Sequence, residues 1–180
     1  MVLRAPAAPF TWEDLQAMAD DGYRRELVHG QLLVTPSPLP RHQRVAMRLA
    51  VTLATHCPEH LEVYPAPLDW RASDNTVLEP DILVLRSEDY TPDAWPTATP
   101  LLVVEIASPS TATTDRTLKR AAYEEAGVPS YWVIDPVEPS LTVLELDGDT
   151  YREIATVGGD EPFGAERPFP VTVVPGALTR

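Results

Sequence analysis

Three short stretches of this 180-residue chain are apolar almost without a break: Ile82-Leu83-Val84-Leu85, Leu101-Leu102-Val103-Val104 running on to Ala107, and Tyr131-Trp132-Val133-Ile134. Runs of this length bounded by Ser, Asp, Asn and Pro read as strands, and their lack of polar alternation means that both faces are buried. A sheet of such strands has to be covered on each side. That points to an α/β fold with a central mixed β-sheet flanked by helices. The strands are expected over Leu61 to Trp70, Glu79 to Arg86, Leu101 to Ala107 and Ser130 to Ile134.

Two carboxylates interrupt the apolar pattern. Asp81 opens one run and Glu105 lies near the end of the next. If these strands are antiparallel neighbours, the start of one meets the end of the other, and both acids stand at one edge of a buried sheet. Two such charges ~4 Å apart at an effective dielectric of ~20 repel by roughly 4 kcal/mol, so the pair requires a cation, a basic partner or a shared proton. A hard divalent metal meets that need, since Mg²⁺ takes one or two carboxylates together with waters and substrate phosphates. The alternative is that each acid ends its strand facing water.

The rest of the chain supplies the cover. Thr11-Trp12-Glu13-Asp14 combines a capping hydroxyl with first-turn acids and starts a short helix to about Asp20. His29-Gly30, between Arg25 to Val28 and Gln31 to Thr35, is a two-residue hairpin turn that needs positive φ. After Pro36, Pro38 and Pro40, the stretch Arg41 to His56 has helical periodicity, with Val45, Ala46, Leu49 and Leu53 on one side and Arg41, Arg44, Arg48, Thr52 and Thr55 on the other. Ser110 to Thr114 offers caps for a helix that runs to Ala126 and stops at Gly127. Leu141 to Glu145, Tyr151 to Val157 and Val171 to Val174 read as shorter strands of a meander. One domain is expected over 1–180, with its core over about 22–136 and additional strands over 137–180.

Charge and composition narrow the function. The net charge of −13, from 14 basic and 27 acidic residues, argues against a general polyanion binder with a basic footprint. The charge is polarised, however: Gly22 to His56 carries +4 and Ala122 to Arg180 carries −8. Cys57 is the only cysteine, so neither an internal disulfide nor a cysteine-based zinc cluster can form, and any metal must be held by oxygen or imidazole. No apolar run reaches the ~18–20 residues that span a bilayer. Met1 to Phe10 lacks a secretory pattern, and a cytoplasmic protein is expected.

Thirteen of the 14 basic residues are arginine, and Lys119 is the only lysine. Such a bias suggests that lysine is kept where a compact point charge serves and a planar fork does not. On the helical wheel Lys119 lies beside a stripe of Leu118, Ala122 and Ala126, while Arg116, Arg120 and Glu124 point away, so Lys119 leans toward the sheet. The alternative is an exposed i,i+4 pair with Asp115, worth a few tenths of a kcal/mol.

In this order, Glu26-Leu27-Val28-His29-Gly30, Pro36-Ser37-Pro38 to Arg41-His42-Gln43, Pro80-Asp81-Ile82, Val104-Glu105-Ile106-Ala107-Ser108-Pro109-Ser110-Thr111, Asp115-Arg116 to Lys119-Arg120, Tyr123, and Tyr131-Trp132-Val133-Ile134-Asp135-Pro136 follow one another. This succession resembles the Uma-two family, bacterial endonucleases of the PD-(D/E)XK restriction-endonuclease-like superfamily, from about Trp12 to Asp135 and again at the closing Pro175-Gly176. The resemblance implies a restriction-endonuclease-like core, elaborated by the N-terminal hairpin and C-terminal strands, that hydrolyses phosphodiester bonds of nucleic acid, DNA being the expected substrate. The strict superfamily pattern places lysine two residues after the acid. Ala107 stands there in this chain, and the resemblance implies that the lysine's place is taken by one on the following helix, which Lys119 matches.

The resemblance also implies roles. Asp81, Glu105 and the backbone carbonyl of Ile106 would hold Mg²⁺ or Mn²⁺, and Lys119 would position the attacking water or stabilise the charged transition state. Glu26 is either a further metal or water ligand or a surface strand residue. His42 lies on the apolar side of its helix, either at the site or as a hydrogen-bonded core histidine. Arg41, Arg44 and Arg48 form a basic stripe that either contacts phosphates or is a solvated helix face. Trp70, Trp95 and Trp132 read as packing residues, and Ser108, Ser110, Thr113 and Thr114 as caps rather than nucleophiles. By analogy with other nuclease folds a homodimer is expected. The competing reading is a catalytically silent binding or assembly module on the same fold, and a third is hydrolysis of a small phosphate ester.

Overall fold

The computed structural model describes residues 8–19, 21–108 and 115–180; the expected caps at Ser110 to Thr114 and the stretch Met1 to Ala7 lie outside them, and the first helix, expected to reach about Asp20, already ends at Gln16. Thr11 caps a first helix, α1 (Trp12–Gln16), in a reciprocal capping box with Asp14. The hairpin follows as β1 (Arg24–Val28) and β2 (Gln31–Thr35), antiparallel, with His29 and Gly30 at φ 50° and 75° as a two-residue turn of that kind demands. Pro40 sits at the first position of α2 (Pro40–His56), where its missing N–H costs nothing.

One expected strand is cut in two and another is shortened. Leu61 to Trp70 becomes β3 (Leu61–Pro65) and β4 (Trp70–Arg71), while Glu79 to Arg86 shortens to β6 (Ile82–Arg86), preceded by a separate strand that carried no sequence expectation, β5 (Val77–Leu78). Pro65, Pro67 and Pro80 stand at the breaks, and none of them has a ladder N–H to give. The pieces separate: β4 and β5 pair with each other and β5 with β1, whereas β3 and β6 enter the main sheet. After β7 (Leu102–Ile106) comes a π-helical turn, Asp115–Lys119, that runs into α3 (Arg120–Glu125). Then follow β8 (Ser130–Asp135), β9 (Ser140–Asp147) and β10 (Thr150–Gly158). A small hairpin of β11 (Phe163–Ala165) and β12 (Val171–Val173) leads to α4 (Pro175–Thr179), of which β11 and α4 carried no sequence expectation.

The main sheet is mixed, in the order β10-β9-β8-β7-β6-β3, with β7 and β8 parallel and the other pairs antiparallel. A smaller sheet runs β2-β1-β5-β4. Strand alternation splits the core into two layers. Ile82, Val84, Leu102, Val104 and Ile106 join Val45, Leu49 and Leu53 of α2, with Val171, Val173 and Leu178 closing the same side. Leu83, Leu85, Val103, Tyr131 and Val133 join Ala122 and Tyr123 of α3, Val28 of β1 and Trp70. Both faces are therefore buried, as the unbroken apolar runs require. No helix among the described residues is long and apolar enough to cross a membrane.

Gly30 locks the smaller sheet to the N-terminal segment. Phe10 N–H donates to its carbonyl at 3.0 Å, its own N–H donates to Asn75 at 2.7 Å, and a Cβ built there would lie 2.4 Å from Pro9 Cβ. With positive φ and no free space, Gly30→Ala is expected to destabilise the fold by about 1–3 kcal/mol, measured as a lowered urea midpoint at unchanged slope.

Candidate active site

The antiparallel register of β6 and β7 sets Ile82 opposite Val104, so the next residues outward, Asp81 and Glu105, meet at one edge of the sheet. The backbone fixes Asp81 directly, since Ile106 N–H donates to its Oδ2 at 2.7 Å. Glu105 follows the alternation of Val103 onto the layer under α3. There Lys119 and Tyr123, one helical turn apart, converge on the same oxygen: Nζ lies 3.0 Å and the phenol 2.6 Å from Glu105 Oε1. Lys119 Nζ also lies 2.8 Å from Glu26 Oε1. The lysine is 3% exposed, so it is no solvated i,i+4 pair; the side chain of Asp115 lies outside the described residues. Leu118, expected in the apolar stripe with Lys119, is instead 39% exposed, because the wider π turn rotates residues 115–119 out of phase with α3.

Glu26 comes from β1, where Arg24, Glu26 and Val28 share one face by the two-residue strand period. Its Oε1 also accepts the Glu79 N–H at 2.9 Å. Arg24 reaches across the site: Nη1 is 3.2 Å from Asp81 Oδ1, Nη2 is 3.4 Å from Glu26 Oε1 and 4.0 Å from Glu105 Oε2, and Nε is 3.4 Å from Glu79 Oε1. From the first turn of α2, buried His42 places Nε2 3.1 Å from Asp81 Oδ2, so it is both at the site and hydrogen-bonded. Arg24, Glu26, His42, Asp81, Glu105 and Lys119 line a cavity of about 360 Å³, together with the Thr35 to Leu39 segment, Ile106 and Ser108.

The electrostatics follow from this packing. Burial alone would raise the Asp81 carboxyl, but the His42 bond, the Arg24 charge and the Ile106 N–H outweigh it and hold the group below the ordinary aspartate value. Burial likewise opposes the Arg24 charge, and Glu26, Glu105, Asp81 and Glu79 more than compensate. Burial, then Glu105 and Glu26, keep the Tyr123 phenol protonated well above its usual range. Glu79 is raised, burial outweighing the pull of Arg24.

Asp69 belongs to the same field. Burial, then the charge of Glu26, raise its carboxyl from 3.8 to about 6 against the pull of Arg24. A group that holds its proton more tightly folded than unfolded contributes stability that is complete below its unfolded pKa and lost as pH rises through the folded one. Asp69→Asn cannot ionise. It should therefore match the wild type below about pH 4 and exceed it above about pH 6.5, by about 1 kcal/mol once solvent screening is allowed for. Urea titrations at the two pH values check this.

Of the residues singled out in the sequence, Asp81, Glu105, Ile106, Lys119, Glu26 and His42 meet at the cavity. The stripe of Arg41, Arg44 and Arg48 does not line it, and two of the three are engaged elsewhere: Arg44 donates to the Thr179 carbonyl at 3.3 Å and Arg48 to that of Ala177 at 3.0 Å. Trp70 and Trp132 are buried packing residues, and Trp95 is 47% exposed with its edge against Trp12. Arg24, Asp69, Glu79 and Tyr123 had no site role in the sequence reading. Arg24 could have been found at i−2 from Glu26 on a strand, and Tyr123 at i+4 from Lys119 on a helix. Asp69 and Glu79 carry no such signal. Among the described residues no group of three or more His, Cys, Asp or Glu is arranged as a metal cage.

The model of a family described as "Putative restriction endonuclease" (Uma2) matches residues 12–177. Among solved structures, the chain is similar to one described as a putative nuclease belonging to DUF820 from Anabaena variabilis ATCC 29413. The two share 19% sequence identity and a TM-score of 0.73, with 95% of this chain and 98% of that chain covered. No curated protein matches the chain.

Proposed function

Because the chain belongs to the Uma2 family of putative restriction endonucleases, we propose that it is a metal-dependent endonuclease that hydrolyses phosphodiester bonds of DNA. The observation that carries the reading is the meeting of Asp81, Glu105 and Lys119, from three separate stretches, at one cavity. The donor chemistry fits a hard divalent ion. Mg²⁺ needs only one or two carboxylates plus waters and phosphate oxygens, so a three-residue cage is not a condition, and Asp81 and Glu105 with the Ile106 carbonyl would hold Mg²⁺ or Mn²⁺. Bound there, the ion would polarise a phosphodiester oxygen and lower the pKa of an attacking water.

The chain's own residues prepare that site. Lys119, anchored on Glu26 and Glu105, holds a positive charge at the cavity wall, where it would stabilise the negative charge that develops on the phosphoryl oxygens. Because Lys119 and Tyr123 both bind Glu105 Oε1, the carboxylate has a fixed orientation. His42 and the Ile106 N–H do the same for Asp81 through Oδ2. Glu26 acts through Lys119 and through the Glu79 N–H as a positioning residue.

The test is nicking of supercoiled plasmid with Mn²⁺ or Mg²⁺ and with EDTA, alongside turnover of a small phosphodiester. Metal-dependent nicking is the expected result; metal-dependent turnover of the small ester alone would reassign the substrate. The net charge of −13 and the engagement of Arg44 and Arg48 by carbonyls favour one rival, a silent module on this fold. The endonuclease reading expects DNA affinity to fall steeply with salt, and a flat response without nicking would support the module.

A further inference from the structure

We propose that Arg24 is a resident counter-ion of the site, holding Asp81 and Glu105 in place until a divalent cation takes over and the guanidinium withdraws. The inference rests on the metal-dependent reading above and goes beyond it to a residue of this chain that no metal ligand set includes. Arg24 joins the two carboxylates in question, with Nη1 3.2 Å from Asp81 Oδ1 and Nη2 4.0 Å from Glu105 Oε2. Its fork therefore spans the gap between the two groups.

Among the described residues, the lysine and arginine cations of the site are held differently. Lys119, 3% exposed, makes contacts of 2.8 and 3.0 Å, whereas the four Arg24 contacts run from 3.2 to 4.0 Å on a side chain that is 19% exposed. Charge-assisted guanidinium bonds at full strength are ~2.7–2.9 Å and often bidentate. The Arg24 Nε is buried and lacks a well-directed hydrogen bond, despite lying 3.4 Å from Glu79 Oε1. Arg24 is thus held by the summed charge of Glu26, Glu79, Asp81 and Glu105 more than by fitted bonds. A doubly charged ion would offset that excess better, and the side chain borders open cavity into which it can turn.

Calorimetric titration with Mn²⁺ tests this on the wild type, Arg24→Gln and Arg25→Gln. Arg25 is the charge-matched control one residue along β1, on the opposite strand face and paired with Asp21. Arg24→Gln should bind Mn²⁺ at least about tenfold tighter than the wild type and Arg25→Gln within about twofold. The melting temperature that Arg24→Gln loses in EDTA should return with Mn²⁺. Tightening in Arg24→Gln no larger than in Arg25→Gln, or weaker binding, overturns the proposal while leaving the metal site standing. If the wild type and Arg24→Gln both take up no Mn²⁺, the metal-dependent reading itself fails, and this one with it. Should Arg24→Gln not fold, ¹⁵N-arginine resonances of the wild type decide: those of the Arg24 guanidinium should shift with saturating Mg²⁺. A shift of the Ile106 amide, which bonds Asp81, without any at Arg24 overturns the proposal.

Discussion

Lys119→Met should destabilise the folded protein by about 3–5 kcal/mol, the range for removing one partner of a buried ion pair. In a chain of this size that corresponds to a fall in melting temperature on the order of 6–20 °C. Nζ bridges two carboxylates, Glu26 and Glu105, each 2% exposed and contributed by different sheets. Without it, the remaining cation near both among the described residues is Arg24, which lies 3.4 Å from one and 4.0 Å from the other. The methionine fills the volume but leaves a buried charge excess, so the loss is electrostatic and not a cavity effect. Adding Glu105→Gln to Lys119→Met removes one of the stranded charges and should return about 1–3 kcal/mol. Paired urea denaturation curves at neutral pH measure both. A single variant within 1 kcal/mol of the wild type would mean that water already reaches the pair and that Lys119 does not hold the two sheets together.

The two-sheet arrangement behind this prediction is where the sequence was least informative. Apolar runs identify β6, β7 and β8 because burial on both faces leaves short, β-branched-rich apolar stretches bounded by turn residues. The edge position of Asp81 and Glu105 follows once β6 and β7 are taken as antiparallel. What no local pattern encodes is that Pro65 and Pro80 send the flanking halves into a second sheet, since the partner of β5 is β1, some fifty residues earlier. That detour brings Glu26 and Arg24 to the site. Charge counting registers Arg24 only as one of five arginines between Gly22 and His56. Helix phase fails similarly: a wheel at 100° per residue assumes α geometry, and the π turn over Asp115–Lys119 exposes Leu118 while Lys119 is buried. Arg44 and Arg48 show the opposite limit, because a basic stripe looks the same whether it meets phosphate or, as here, the carbonyl ends of α4.

Glu105→Gln alone should separate function from stability. The amide oxygen can still accept from Tyr123 and Lys119 where Oε1 does now, and Lys119 keeps Glu26 at 2.8 Å, so the fold is expected to stay within about 1 kcal/mol of the wild type. The charge, however, is gone from one of the two strand-edge carboxylates. Metal-dependent DNA cleavage is expected to fall by about 10²-fold or more, and Mn²⁺ affinity by at least about tenfold, since a neutral amide is a poor ligand for a hard cation. Lys119→Met gives the converse pattern, a large loss of stability together with any loss of activity. Single-turnover cleavage, Mn²⁺ calorimetry and urea denaturation on one preparation of Glu105→Gln distinguish the cases. Wild-type Mn²⁺ affinity in that variant would remove Glu105 from the proposed ligands and leave it as the anchor of Lys119 and Tyr123 alone. Loss of both affinity and cleavage at preserved stability would tie the strand-edge pair to the chemistry, because the fold that brings Asp81 and Glu105 together would be intact while one charge was missing.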